Sequence, residues 1–267
     1  MATVTSADGT IIAFDRVGSG PALILVDGAL CYRRFGPSAA LAKQLADRFT
    51  VFTYDRRGRG ESGNTLPFSP AREVEDLAAL IAAAGGSAVV CGVSSGGALA
   101  LEAANSGLPI TRVVVYEAPL IVDAARAPIG EDYLAHLKTL IADDRRGEAV
   151  RWFMKAVQVP AIFVALMRLM PSWKQMKAVA PTLVHDVSLV EPYWRGRPLP
   201  KDRWSSVRVP TLIIDGGKSP AWMRNAQRAL AAVVPHAETR TLPGQTHMVN
   251  AKVLAPALAD FFAGTNA

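Results

Sequence analysis

Short, unbroken apolar runs alternate with segments of helical period through the first 117 residues, and this alternation restricts the fold more than any other feature of the chain. The runs are PALILVDG at 21–28, FTVFTYD at 49–55, SAVVCGVS at 87–94 and ITRVVVYE at 110–117. A strand with one wet face alternates apolar and polar residues. A strand with almost no polar position must be covered on both faces, as the strands of a parallel sheet are. Between the runs lie GPSAALAKQLADR, SPAREVEDLAALIAAAGG and SGGALALEAANSG, which have helical spacing. The second of these opens on Ser69 as N-cap with Pro70 at the first helical position and ends in glycines. Strands and helices in this order predict a parallel sheet wrapped by helices. Ahead of it, ATVT and GTIIAFDRV flank an Asp8-Gly9 turn signal and read as a β-hairpin.

From about residue 120 to 205 the rhythm changes. No β-branched strand run occurs, and the helical stretches there carry Trp152, Trp173, Trp194, Phe153, Phe163 and several methionines. The strand–helix pattern returns with VPTLIIDGG at 209–217, the helix PAWMRNAQRALAAVV, the strand AETRTLP and a last helix from about Met248 to Phe262. The expected organisation is one core, residues 1–119 and 206–267, interrupted by a helical cap at 120–205, the scale of a small subdomain. The cap aromatics are expected both to form a small core of their own and to line a pocket. Its candidate lining is Trp152, Trp173, Trp194, Trp222 and Met248, with Cys31 and Tyr32 at the mouth.

The totals exclude several classes. A chain of 267 residues, 50% hydrophobic and 19% charged, can bury a real core. The net charge of +6 invites a nucleic-acid reading, but the basic residues are scattered and DRRGRGES is their densest knot. A stripe of Lys and Arg interleaved with aromatics is missing, so no nucleic-acid partner is expected. Cys31 and Cys91 have no metal-like spacing, and no metal or organic cofactor is expected. The start, MATVTSADGT, lacks a basic segment followed by an apolar one. The longest uncharged tract, AVQVPAIFVALM, falls short of the ~20 residues of a membrane span and contains Pro160. A soluble, cytoplasmic protein without a membrane partner, monomeric or homodimeric, is the expectation.

GVSSG at 92–96 matches G-x-S-x-G where a buried strand gives way to a helix. Alone the match is weak; the strand–turn–helix context gives it meaning. There the serine takes a strained backbone conformation, and glycines on either side remove Cβ atoms that would collide. The Ser94 hydroxyl then projects above the sheet, and the Ser95 N–H stands at a helix N-terminus, ready to hold an oxyanion. A tight turn without chemistry is the alternative.

Four segments together, VDGAL, YDRRGRGESG, CGVSSGG and LPGQTHMVN, make the chain resemble an α/β-hydrolase from end to end. That resemblance implies an eight-stranded, mostly parallel sheet flanked by helices, with the cap inserted after the sixth strand. It also places the catalytic histidine at His247; His136 and His185 fall in the cap, and His236 in a surface-like connection. Most members carry the catalytic acid after the seventh strand. Here that loop reads DGGKSP, with uncharged Ser219 at the usual position and Asp215 at the strand end. A minority place the acid after the sixth strand, where Glu117 stands. Glu117 is therefore the favoured acid and Asp215 the alternative. VDG, GVSSGG and YEAP resemble in particular the zearalenone lactonase group, although nothing in the cap is shared.

The second oxyanion donor is expected from the backbone of Gly28 or Ala29. Asp27 either hydrogen-bonds its own loop or meets a polar group of the substrate. The expected reaction is hydrolysis of a fairly large apolar ester or lactone through an acyl-enzyme on Ser94. Two other readings stay open: carbon–carbon hydrolysis or acyl transfer by the same residues, and a non-enzymatic ligand receptor on the same fold.

Overall fold

The computed structural model of the chain describes residues 1–264. Strands β1 (Ala2–Thr5) and β2 (Ile11–Val17) form the expected antiparallel hairpin, with Ala2 opposite Phe14. Then β3 (Ala22–Val26), α1 (Ser38–Leu45), β4 (Thr50–Tyr54), α2 (Pro70–Ala83), β5 (Ala88–Val93), α3 (Ser95–Asn105) and β6 (Ile110–Tyr116) follow in strict alternation. Five α-helices stand between the sixth and seventh strands. They are α4 (Tyr133–Ala142), α5 (Arg146–Ala156), α6 (Ala161–Met167), α7 (Pro171–Val179) and α8 (Leu183–Val190). The order is completed by β7 (Thr211–Gly216), α9 (Ala221–Val233), β8 (Ala237–Leu242) and α10 (Ala251–Ala263).

The strands make one eight-stranded sheet in the order β1-β2-β4-β3-β5-β6-β7-β8, antiparallel at β1–β2–β4 and parallel beyond. Successive side chains of a strand point to opposite faces, so each apolar run feeds two cores. Ile24, Val26, Val113 and Val115 join one cluster of buried side chains, and Leu23, Leu25, Val114 and Tyr116 the other. The first cluster is closed by Leu77, Leu99 and Leu230 of α2, α3 and α9, the second by Leu41, Leu45, Leu254 and Leu258 of α1 and α10. That double cover is why the runs contain so few polar residues. Leu137, Val150 and Leu183 of the helical segment belong to the first cluster as well.

The registers also build a platform. Val26 lies opposite Gly92, Val93 opposite Tyr116, and Tyr116 opposite Ile214, so the C-terminal ends of β3, β5, β6 and β7 stand at one level. One boundary differs from expectation. The last helix begins at Ala251, not near Met248, because the Asn250 side chain accepts the Lys252 N–H and caps it. The residues just before it form a loop that turns at Pro243–Gly244 and bends at His247–Met248. Among the described residues, no helix is long and apolar enough to cross a membrane.

The basic knot after β4 is structural. Arg56, Arg57 and Arg59 are all buried, and Arg57 bridges both oxygens of Asp76 on α2 while reaching Asp8 in the hairpin turn. Asp55 accepts the N–H groups of Arg33 and Glu61. A Cβ on Gly60 would lie 2.2 Å from its carboxylate, so the knot's last glycine is a steric necessity.

Candidate active site

At the end of β5, Ser94 has φ +58° and ψ −127°. A non-glycine residue in such a region costs on the order of 1–3 kcal/mol and persists only where its surroundings hold it. Here the Ser94 N–H donates to the Tyr116 carbonyl at 2.8 Å, and the Ser94 carbonyl accepts the Gly97 N–H at 2.9 Å. The flanking glycines are required by space. A Cβ on Gly92 would sit 2.1 Å from the Gly96 carbonyl oxygen, and one on Gly96 would sit 2.2 Å from that of Val26. The turn is so tight that α3 starts at the next residue, Ser95.

The neighbouring strand ends in a second left-handed residue, Glu117, at φ +48° and with no exposed surface. Its Oε1 accepts the Gly216 N–H from the end of β7 at 2.7 Å, and its Oε2 lies 3.0 Å from His247 Nδ1. The histidine loop is stitched to the same strand end: the Lys218 N–H donates to the Gln245 carbonyl, and that carbonyl leaves no room for a Cβ on Gly216. A carboxylate facing Nδ1 fixes the tautomer by partner chemistry, placing the proton on Nδ1 and the lone pair on Nε2. The other acid at hand does not do this. Asp215 Oδ1 is buried without a partner, and its Oδ2 is 3.8 Å from Arg224 Nε. The Ser219 hydroxyl is likewise buried and unpartnered.

Tyr116, which sequence reasoning did not single out, joins the two halves. Its carbonyl holds Ser94, its chain continues into Glu117, and its phenol donates to the Thr246 carbonyl, one residue before His247, at 2.5 Å. Burial, aided by the charge of Glu117, pushes the phenol well above its ordinary range, so the hydroxyl stays a donor. A tyrosine ending a buried strand beside a glutamate was the signal, since a buried phenol needs an acceptor. Among the described residues no hydrogen bond joins the Ser94 hydroxyl to His247 directly; their common anchor is Tyr116.

Across from the elbow lies the loop after β3. A Cβ on Gly28 would be 2.9 Å from Ser94 Cβ and 3.5 Å from its hydroxyl, so this backbone runs against the serine. Among the described residues the N–H groups of Gly28 and Ala29 donate to no protein acceptor, and the Ser95 N–H opens a helix and has no intrahelical partner. Leu30, immediately after, is a third left-handed residue, at φ +60°. Asp27 accepts the Ser38 hydroxyl at 2.6 Å, tying the loop to the start of α1, and burial pushes its carboxyl up to about 6.

The pocket candidates scatter. Cys31 is half-buried, with burial pushing its thiol up to about 12, and the Tyr32 ring lies 5.9 Å from that of Phe35. Trp152 stacks on Tyr133, and Trp194 is buried with its Nε1–H donated to the Pro119 carbonyl. Trp222 is buried with the Arg126 guanidinium over its ring, and Trp173 lines a basic groove with Arg146, Arg151, Arg168, Lys174 and Lys177. Met248 is 86% exposed. The contacts named for the four tryptophans involve neither Ser94 nor His247, and Met248 follows His247 directly in the chain.

The remaining histidines are elsewhere. His136 packs against Trp152, and His236 ends the α9–β8 connection. His185 is buried with its ring stacked on Phe68 at 3.7 Å, and burial pushes it down to about 4. A folded-state value below the ordinary one favours the folded protein above pH ~6.5, and that contribution is lost as pH falls toward 4. At 1.36 kcal/mol per unit the loss amounts to about 3 kcal/mol. Urea midpoints between pH 7 and pH 4 should therefore fall more steeply for the native chain than for His185→Gln; parallel curves would contradict this.

Residues 10–256 match the profile of the alpha/beta hydrolase family. An alpha/beta hydrolase from Sphaerobacter thermophilus DSM 20745 is 49% identical, with 98% of this chain and 100% of that one covered and a TM-score of 0.90. A thermophilic esterase from Thermogutta terrifontis is 21% identical over 98% and 97% of the two chains, at a TM-score of 0.70. The enol-lactonase from Burkholderia xenovorans LB400 is 19% identical over 98% and 100%, at 0.69. The last two likenesses speak to the fold alone. No curated protein sequence matches the chain.

Proposed function

This chain belongs to the alpha/beta hydrolase family, and on that premise we propose that it is a serine hydrolase acting on a carboxylic ester or lactone of a fairly large apolar substrate. The observation that carries the reading is the meeting, at the ends of two adjacent strands, of a left-handed serine and a buried glutamate paired with a histidine. Ser94 is the nucleophile. Neutral His247, its proton held on Nδ1 by Glu117, takes the Ser94 proton on Nε2 as the hydroxyl oxygen attacks the carbonyl carbon. The negative charge that develops on the carbonyl oxygen is met by the free N–H groups of Ser95 and of Gly28 or Ala29. His247 then passes its proton to the leaving alcohol, and water, deprotonated in the same way, releases the acid and restores Ser94.

Residues 120–205 act in this reading as a cap, joined to the elbow by α8, which packs on α3 and accepts the Ser95 hydroxyl through Asp186. The apolar character of the substrate is argued from the aromatic and methionine content of that cap. The lactone alternative rests on the likeness of VDG, GVSSGG and YEAP to the zearalenone lactonase group. A panel of p-nitrophenyl esters and macrocyclic or small lactones tests the proposal, read by product release and by mass spectrometry for an acyl adduct on Ser94. Turnover with a transient adduct supports it. Tight binding of the same compounds without turnover points to a receptor and overturns it.

A further inference from the structure

The elbow carries two serines, and the second has a partner of its own. The Ser95 hydroxyl donates to Asp186 Oδ1 at 2.7 Å. Asp186 lies on α8, in the helical segment, and is buried. The same oxygen accepts from Arg56 Nη1 at 2.6 Å, and Oδ2 accepts from Arg59 Nη2 at 2.6 Å. Burial alone would raise the pKa of this carboxyl, but the charges of Arg59 and Arg56 outweigh it and hold the group below its ordinary range. One carboxylate of the helical segment thus binds two buried guanidinium groups and the hydroxyl next to the nucleophile.

The same guanidinium groups also donate to the loop opposite. Arg56 Nη1 donates to the Asp27 carbonyl at 3.1 Å, and Arg59 Nη1 donates to the carbonyls of Gly28 at 2.6 Å and Cys31 at 3.0 Å. In a trans peptide the carbonyl and the following N–H point in opposite directions. Drawing the Asp27 carbonyl onto Arg56 therefore aims the Gly28 N–H away from Arg56, and drawing the Gly28 carbonyl onto Arg59 aims the Ala29 N–H away from Arg59. These are the two candidate donors of the loop. The third, Ser95 N–H, belongs to the residue whose side chain Asp186 holds. Charged hydrogen bonds are about twice as strong as neutral ones, so a loop held this way is stiff before any substrate arrives.

We propose that Asp186 is a positioning residue that, through Arg56, Arg59 and the Ser95 hydroxyl, aims the backbone N–H groups of Gly28, Ala29 and Ser95 at the substrate oxyanion and so couples the helical segment to the reaction centre. Asp186 does not touch substrate; its effect is on transition-state binding. The inference rests on the serine-hydrolase reading above.

The test uses the full chain, with Asp186→Asn and Ser95→Ala, on the best ester of the panel. Asn keeps the shape of the side chain but offers one acceptor where the carboxylate offers two. Loss of a single oxyanion donor costs on the order of 10²–10³ in kcat. Misaimed rather than missing donors should thus lower kcat by about 10- to 100-fold in Asp186→Asn and by about 3- to 10-fold in Ser95→Ala, with KM moving by less than about threefold. Affinity for an arylboronic acid, which forms a tetrahedral adduct on the serine, should fall in step with kcat/KM, while affinity for the product acid stays level. A purely structural role would lower Tm without that split. Normal native turnover with kcat within twofold in both variants overturns the inference alone, and should Asp186→Asn not fold, unchanged kcat in Ser95→Ala overturns it. Absence of native turnover overturns the functional reading and this inference with it.

Discussion

Ser94→Ala is expected to lower ester turnover by on the order of 10⁵-fold or more while the protein stays folded. The size follows from the mechanism: without the hydroxyl there is no acyl-enzyme, and only binding and the oxyanion donors remain to help water attack. The backbone supplies an independent check. Ser94 is held at φ +58°, where a Cβ is strained. Ser94→Gly, equally inactive, should therefore gain about 1 kcal/mol in stability from relief of that strain, offset in part by the extra freedom of glycine in the unfolded chain. Activity and stability moving in opposite directions at one position is the signature of a strained nucleophile. An inert Ser94→Ala substitution, with turnover within a factor of ten of native, would leave the elbow as a turn and nothing more.

Glu117→Gln should lower kcat by on the order of 10⁴-fold with little change in KM. The argument is about protons. The Gln carbonyl can still accept the Gly216 N–H, which leaves the amide NH₂ facing His247 Nδ1. Nδ1 must then act as acceptor, the ring proton moves to Nε2, and the imidazole cannot take a proton from Ser94. Asp215→Asn tests the alternative acid. Its carboxylate has one oxygen without a partner and the other 3.8 Å from Arg224, so turnover should stay within about threefold of native. The reverse pattern, with Asp215→Asn inactive and Glu117→Gln active, would transfer the role to Asp215. Steady-state kinetics on the two purified variants, with circular dichroism to verify folding, separates these outcomes.

Much of this was legible in the chain, for identifiable reasons. Strands buried on both faces cannot hide in a sequence, because VVCGV and VVVY have no polar residue to spare; the sheet, its direction and the position of the helical segment followed from them. The elbow was legible because two contradictory demands, a left-handed residue with a Cβ and close backbone contact on both sides, leave Gly92 and Gly96 little alternative. The pairing of Glu117 with His247 needed knowledge of a family, since 130 positions separate them and only the sheet registers bring them together. Tyr116 and Asp186 were hard to single out for a different reason, since the chain does not name their partners. A tyrosine ending a strand and an aspartate in a helix are ordinary until the hydrogen-bond partners are seen. The pocket residues were the least legible. Trp194 and Trp222 stand out by composition, while the partners the structure gives them, the Pro119 carbonyl and the Arg126 guanidinium, lie far along the chain and are not encoded in periodicity. The helix start at Ala251 rather than Met248 depended on one cap, Asn250.

The central claim is that the Ser94 hydroxyl is activated by the His247 ring, and its most direct test is covalent. Treatment of the native chain with a fluorophosphonate, followed by peptide mapping, should place a single adduct on Ser94, and His247→Ala should slow that labelling by several orders of magnitude. Labelling at a different residue, or labelling of Ser94 at the native rate without His247, would contradict the account.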